Sequence, residues 1–144
     1  LDEAVLAIRA ARENTGLEVI CTFTFDRMGD GTYRTMMGNT PEEVAVTLLE
    51  AGAAIIGANC GQGPAGMVDI ARAMRAAAPG APIMVQANAG LPVRVGDRDE
   101  FPETPEMMAA RVPDLMAAGA NIIGGCCGTT PDHIRAIANA ARRM

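Results

Sequence analysis

The chain has 144 residues, 49% hydrophobic and 20% charged, which suits one globular domain with a real core and argues against disorder. Twelve basic against seventeen acidic residues leave a net charge of -5 with no basic run, so nucleic acid is excluded as an expected partner. No apolar stretch approaches the roughly 20 residues that cross a bilayer, and with 3% aromatic residues and no Trp a stacking platform for bases or sugars is poorly supported.

In chain order, four helix-like segments alternate with four β-rich runs. "DEAVLAIRAARENTG" (2–16) has apolar residues at helical spacing and leads through Gly16, read as a left-handed stop, into "LEVICTFTF" (17–25). The stretch 26–34, "DRMGDGTYR", reads as a long loop, either a lid or plain solvated chain. "TPEEVAVTLLEAG" (40–52) opens on Thr40 with Glu43 three residues on, a capping box, has Pro41 at the first helical position, and stops at Gly52 before "AAIIGAN" (53–59). "GMVDIARAMRAAAPG" (66–80) precedes "PIMVQAN" (82–88), after which residues 90–103 read as a second long loop. "TPEMMAARVPDLMAAG" (104–119) starts on Thr104-Pro105 and ends at Gly119, but Pro113 inside it removes a hydrogen bond and predicts a bend near Val112. The run "ANIIGGC" (120–126) follows, and "TPDHIRAIANAARRM" (130–144), again opened by Thr-Pro, closes the chain.

"LLEAGAAIIGANCG" (48–61) aligns with "LMAAGANIIGGCCG" (115–128) at a constant offset of 67, placing Cys60 opposite Cys127. A helix, glycine stop, apolar strand and glycine-rich loop recurring in register is the signature of βα units in a parallel sheet. Strands apolar at consecutive positions predict burial on both faces under helices. The expected fold class is α/β, parallel βα units forming a single domain over 1–144. Four units do not close a (β/α)8 TIM barrel, which needs eight, so the chain reads as its C-terminal half or as an open sheet.

Cys60 and the adjacent Cys126 and Cys127 all fall at the C-terminal ends of strands, where such folds place their active sites. Neighbouring cysteines make a strained disulfide. Three thiolates around zinc leave one tetrahedral position for substrate or water, and flanking glycines let both Cys126 and Cys127 turn toward one ion. Four cysteines without framework spacing, together with an N-terminus lacking a basic region followed by an apolar block, point to a cytoplasmic protein with reduced thiols. The bland alternatives are small buried hydrophobes or a redox or structural role.

The motifs "GANCGQGP" (57–64), "QANAGLP" (86–92) and "GGCCGTTPDHIRAIA" (124–138) resemble the zinc-dependent homocysteine S-methyltransferase family, over nearly the whole chain and nearer its cobalamin-dependent methionine synthase branch. The resemblance implies a (β/α)8 barrel in which Cys60, Cys126 and Cys127 bind zinc and homocysteine sulfur takes the fourth position. No catalytic residue beyond these ligands is expected. It also implies a methyl donor such as methylcobalamin, supplied by another domain or protein. The first four barrel strands, and the acidic residues expected there for the homocysteine amino group, lie outside this sequence. An N-terminal half-barrel or second chain would then cover the open sheet edges.

Other residues are weighed against simpler roles. Asn59 and Asn88 end strands and are candidates for substrate binding or for capping their own turns. Thr22 and Thr24 are weaker candidates for the barrel interior. Cys21 lies within an apolar strand and reads as core, His133 reads as a surface or helix-packing residue, and the ten methionines read as core filler. The alternative readings are a metal-free phosphate-binding half-barrel, using glycine-rich loops beside a helix N-terminus, and a non-catalytic assembly module.

Overall fold

A computed structural model describes residues 1–143. Its elements are α1 (Asp2–Asn14), β1 (Ile20–Phe23), β2 (Asp26–Arg27), β3 (Tyr33–Arg34), α2 (Pro41–Ala51), β4 (Ile55–Asn59), α3 (Pro64–Ala77), β5 (Ile83–Ala87), β6 (Val93–Val95), β7 (Arg98–Glu100), α4 (Pro105–Ala110), α5 (Val112–Ala117), β8 (Ile122–Gly125) and α6 (Pro131–Ala141). The four strands expected from sequence form one parallel sheet in the order β1-β4-β5-β8, an α/β fold of four strands and covering helices. Both long loops carry small antiparallel hairpins instead of being plain coil, β2 with β3 and β6 with β7. No helix among the described residues is long and apolar enough to cross a membrane.

Helix starts follow the side-chain chemistry. Thr40 accepts from the Glu43 amide while Glu43 returns a bond to the Thr40 amide, closing the capping box. Gly52 and Gly119 both end helical segments at φ 105, as expected of left-handed stops. Gly16 does not. α1 ends instead on Thr15 in extended geometry, because the Thr15 amide and hydroxyl both bond the Ala11 carbonyl and Asn14 bonds that of Ala10, leaving no need for a left-handed residue. The third helix begins earlier than its apolar pattern suggests, at Pro64, whose fixed φ and missing N–H suit a first helical position. Pro113 splits the fourth segment into α4 and α5 at Arg111, next to the expected bend.

Burial differs from the expectation of two covered faces. Ile56, Ala58, Ile83 and Val85 point at the helices and are wholly buried, packed with Val44 and Leu48 of α2, Met67, Ile70 and Met74 of α3, and Val112 and Leu115 of α5. Each such large aliphatic side chain contributes about 1.5–3 kcal/mol through the surface it removes from water. The alternate positions Ile55, Met84 and Gln86 are half-buried, and Ile20 and Ile122 on the two edge strands are 49% and 37% exposed. Among the described residues, that second face is therefore less covered than the one packed under the helices.

Candidate metal centre

β4 and β8 are separated in the sheet by β5, so their ends stand about 10 Å apart at the usual strand spacing. The sulfurs of Cys60, Cys126 and Cys127 nevertheless lie within 4.8 Å of one another. Two devices close the gap. The first is backbone geometry: Cys60 is the only non-glycine residue with positive φ (57°) among those described, Gly61 follows at 68°, and Gly128 turns the other loop at 77°. The second is a zipper along the end of β5. The Cys60 amide donates to the Gln86 carbonyl at 3.0 Å, the Asn88 amide to the Gln62 carbonyl at 3.0 Å, the Cys126 amide to the Ala87 carbonyl at 2.7 Å, and the Ala89 amide to the Cys127 carbonyl at 2.9 Å. Both thiol loops thus lean over the same strand end.

β8 stops at Gly125, so Cys126 and Cys127 lie past the strand and escape its alternation, which would have sent adjacent side chains to opposite faces. Sγ of Cys60 and Cys127 are 3.6 Å apart, and those of Cys126 and Cys127 3.9 Å. All are free thiols. Three sulfurs at 2.3 Å from a tetrahedral ion would be about 3.8 Å from each other, so the donor set and its spacing fit zinc.

The thiols are electrostatically unequal. Burial works against ionising Cys60, but hydrogen bonds from the Gly61 backbone and from Cys127, Asn88 and Cys126 outweigh it and hold its pKa below the ordinary thiol value. The Cys127 pKa is pushed up to about 11 by its hydrogen bonds to Cys60 and Cys126, with the charge of those neighbours adding to the effect. Of these two, Cys60 gives up its proton more readily and Cys127 retains one.

Asn59 is half-buried, and its Oδ1 accepts the Thr22 hydroxyl at 2.7 Å. Asn88 is buried between the two loops, its Oδ1 accepting the Cys127 amide at 3.0 Å. Thr24 donates to the Asn59 carbonyl at 3.0 Å. Cys21 is half-buried against the core, with burial raising its thiol pKa, and stands outside the cluster. His133 is buried rather than on the surface: Nδ1 accepts the Thr130 amide at 3.1 Å, and Nε2 lies 2.9 Å from the Glu103 carbonyl oxygen, which only a donor on that nitrogen can satisfy. It ties the start of α6 to the end of the 90–103 excursion and is not part of the sulfur cluster.

Sequence reasoning passed over Gln62 and Phe101. Gln62 is buried and its Nε2 donates to the Phe25 carbonyl at 3.3 Å, while Phe101 packs so closely on Gly128 that an added Cβ would lie 2.2 Å from its ring. A polar residue two positions after a glycine-flanked cysteine is the only sequence signal that pointed to Gln62. A shallow depression of about 390 Å³, lined by Arg27, Tyr33, Gln62 and Glu103 among others, adjoins this loop but includes none of the three thiols.

A family model described as "Homocysteine S-methyltransferase" matches residues 1–141. The methionine synthases of Mycobacterium leprae and Mycobacterium tuberculosis are each 37% identical to the chain, over 145 and 146 residues. These alignments take in 99% and 100% of the chain but 12% of each relative, so the chain spans about an eighth of their length. Among solved structures, the apo form of the homocysteine methyltransferase MmuM from Escherichia coli superposes with a TM-score of 0.72 at 22% identity, over 96% of this chain and 45% of that one. Its oxidized form gives 0.70 at 20% identity, over 95% and 41%. At that identity the superpositions speak for the fold: a four-stranded parallel sheet with helices, matching a little under half of the larger protein.

Proposed function

Because the chain belongs to the homocysteine S-methyltransferase family, we propose that Cys60, Cys126 and Cys127 hold one zinc ion as thiolates, at the centre where homocysteine receives a methyl group to become methionine. The observation that carries this reading is the convergence of three sulfurs from two strands that are not neighbours, at a spacing that suits a tetrahedral ion with a fourth position open. Bound zinc would keep an incoming thiol ionised near neutral pH, where a free thiol of pKa about 8.5 is only a few per cent thiolate.

The residues of the chain do the rest. Cys60 supplies a sulfur more readily ionised than that of Cys127, and the exposed Cys127 leaves the cluster open at the rim of the sheet. Asn59 and Asn88 border the cluster and are the proposed substrate-binding residues: the Asn59 oxygen is engaged by Thr22 and its amide nitrogen is the group offered to substrate, whereas Asn88 already serves the Cys127 amide and Cys60 and acts by holding the thiols in place. The methyl donor, methylcobalamin in this reading, comes from another domain or protein. Residues 1–144 form one domain whose open face and edge strands β1 and β8 are completed by further barrel strands or a second chain.

Metal analysis of the purified chain tests the centre. About one zinc per chain is expected, lost in Cys126→Ser, and calorimetric titration with homocysteine should show binding to the zinc-loaded protein only. A wild-type chain that takes up no zinc at micromolar concentration overturns the reading.

A further inference from the structure

The left-handed backbone at Cys60 needs a cause. A β-carbon is sterically disfavoured in this region, and such a conformation persists only where its surroundings over-determine it. We infer that the C-terminal end of β1, which contributes no thiol, is the mould that holds Cys60 in this pose, with Thr24 as its principal positioning residue.

φ of Cys60 is set by the plane of the Asn59–Cys60 peptide, and that plane is held at both edges. Its N–H donates to the Gln86 carbonyl of β5 at 3.0 Å, and its carbonyl accepts the Thr24 hydroxyl at 3.0 Å. In a continuing parallel ladder a β1 amide would serve that carbonyl, but pairing between β1 and β4 ends at Phe23 with Ala58. Thr24 stands in for the missing amide. On the far side, the Cys60 carbonyl accepts the Gln62 amide at 2.7 Å, and Gln62 is anchored by its side chain to the Phe25 carbonyl at 3.3 Å. Gly61, between them, sits so close to β1 that an added Cβ would lie 2.7 Å from the Phe25 oxygen and 2.8 Å from Thr24 Cγ2. Thr22, bonded to the Asn59 side chain at 2.7 Å, completes the grip. Thr24 is itself exposed, so its replacement leaves the core intact.

The inference rests on the zinc reading, and its test keeps the two apart. Zinc affinity is measured by chelator competition for wild type, Thr24→Val and Thr24→Ser, together with the metal-free melting temperature and the backbone carbon shifts of Cys60 in the metal-free chain. Removing a group that orients a ligand typically weakens metal binding 10–100-fold; because Thr24 is exposed and water competes, about tenfold is expected for Thr24→Val. The valine variant should keep the wild-type melting temperature but lose the left-handed shift signature at Cys60, and Thr24→Ser should restore both affinity and signature. Unchanged zinc affinity and unchanged shifts in Thr24→Val overturn the inference, as does a serine variant that fails to rescue. A wild type that binds no zinc defeats the proposed function, and the carbon shifts then decide the mould on their own.

Discussion

The two related units, 48–61 and 115–128, start alike and finish differently. Each runs from a helix through a glycine at φ 105 into a strand, and each ends in a glycine with positive φ, Gly61 and Gly128. In the second unit the cysteines have ordinary backbone geometry and are held mainly by backbone bonds to the extension of β5, supplemented by Asn88 and Thr129. In the first unit Cys60 is itself left-handed and depends on side chains, those of Thr22, Thr24 and Gln62. The difference teaches that the same local design reaches one sulfur cluster by two routes, one written in hydrogen-bonded backbone and the other in contacts from a neighbouring strand.

The comparison is most severely tested at the two terminal glycines. Gly61→Ala puts a Cβ into the carbonyl of fully buried Phe25 at positive φ, so a loss of at least about 3 kcal/mol is expected in denaturant unfolding, with zinc binding lost in the same variant. Gly128→Ala meets Phe101 at Cγ and Cβ, beside its backbone, so the clash is relieved only by shifting Phe101 together with the exposed hairpin before it, and a smaller loss of about 2 kcal/mol is expected. Equal losses at the two positions would dissolve the distinction.

A titration sharpens it next. Cys60 ionises below the ordinary thiol value while Cys127 keeps its proton up to about 11, so zinc capture near neutral pH must expel the Cys127 proton. The Cys127 proton alone makes apparent zinc affinity rise with pH by at least about tenfold per unit across roughly pH 6 to 9, with proton release visible in buffers of different ionisation enthalpy. The same raised pKa means that metal-free stability, fully present below the unfolded thiol value, falls as pH climbs from there through about 11. A pH-independent affinity would show that Cys127 is already ionised.

The smallest effect is expected at Thr129. Its hydroxyl donates to the Cys126 carbonyl at 2.7 Å, but its own amide serves the same carbonyl at 3.2 Å. Thr129→Val should cost under about 1 kcal/mol and shift zinc affinity less than about threefold, because a backbone bond remains in place. A tenfold loss in chelator competition would make the second unit as dependent on side chains as the first.

Much of this was readable in the amino-acid order. Thr40 with Glu43, the Thr-Pro starts and Gly52 and Gly119 marked helix ends because capping is satisfied within a few residues, and the offset of 67 placed Cys60 opposite Cys127, now found 3.6 Å apart. The false stop at Gly16 failed for an equally local reason, since Thr15 and Asn14 had already satisfied the carbonyls a left-handed glycine would serve. His133 was placed correctly off the sulfurs, but its burial depends on Glu103, thirty residues away.

The order of residues alone determined the repeating βα units, the capped helix boundaries such as Thr40 and Gly52, and the placing of three thiols beyond strand ends, because periodicity, caps and turns are short-range physics. Only the tertiary structure decided that β5 would lie between the two thiol strands and draw their loops together, that one sheet face would be less covered than the other, and that Cys60 would be bent left-handed under Thr24 and Gln62. Those outcomes belong to segments far apart along the chain, and their hydrogen bonds exist only once the strands have paired.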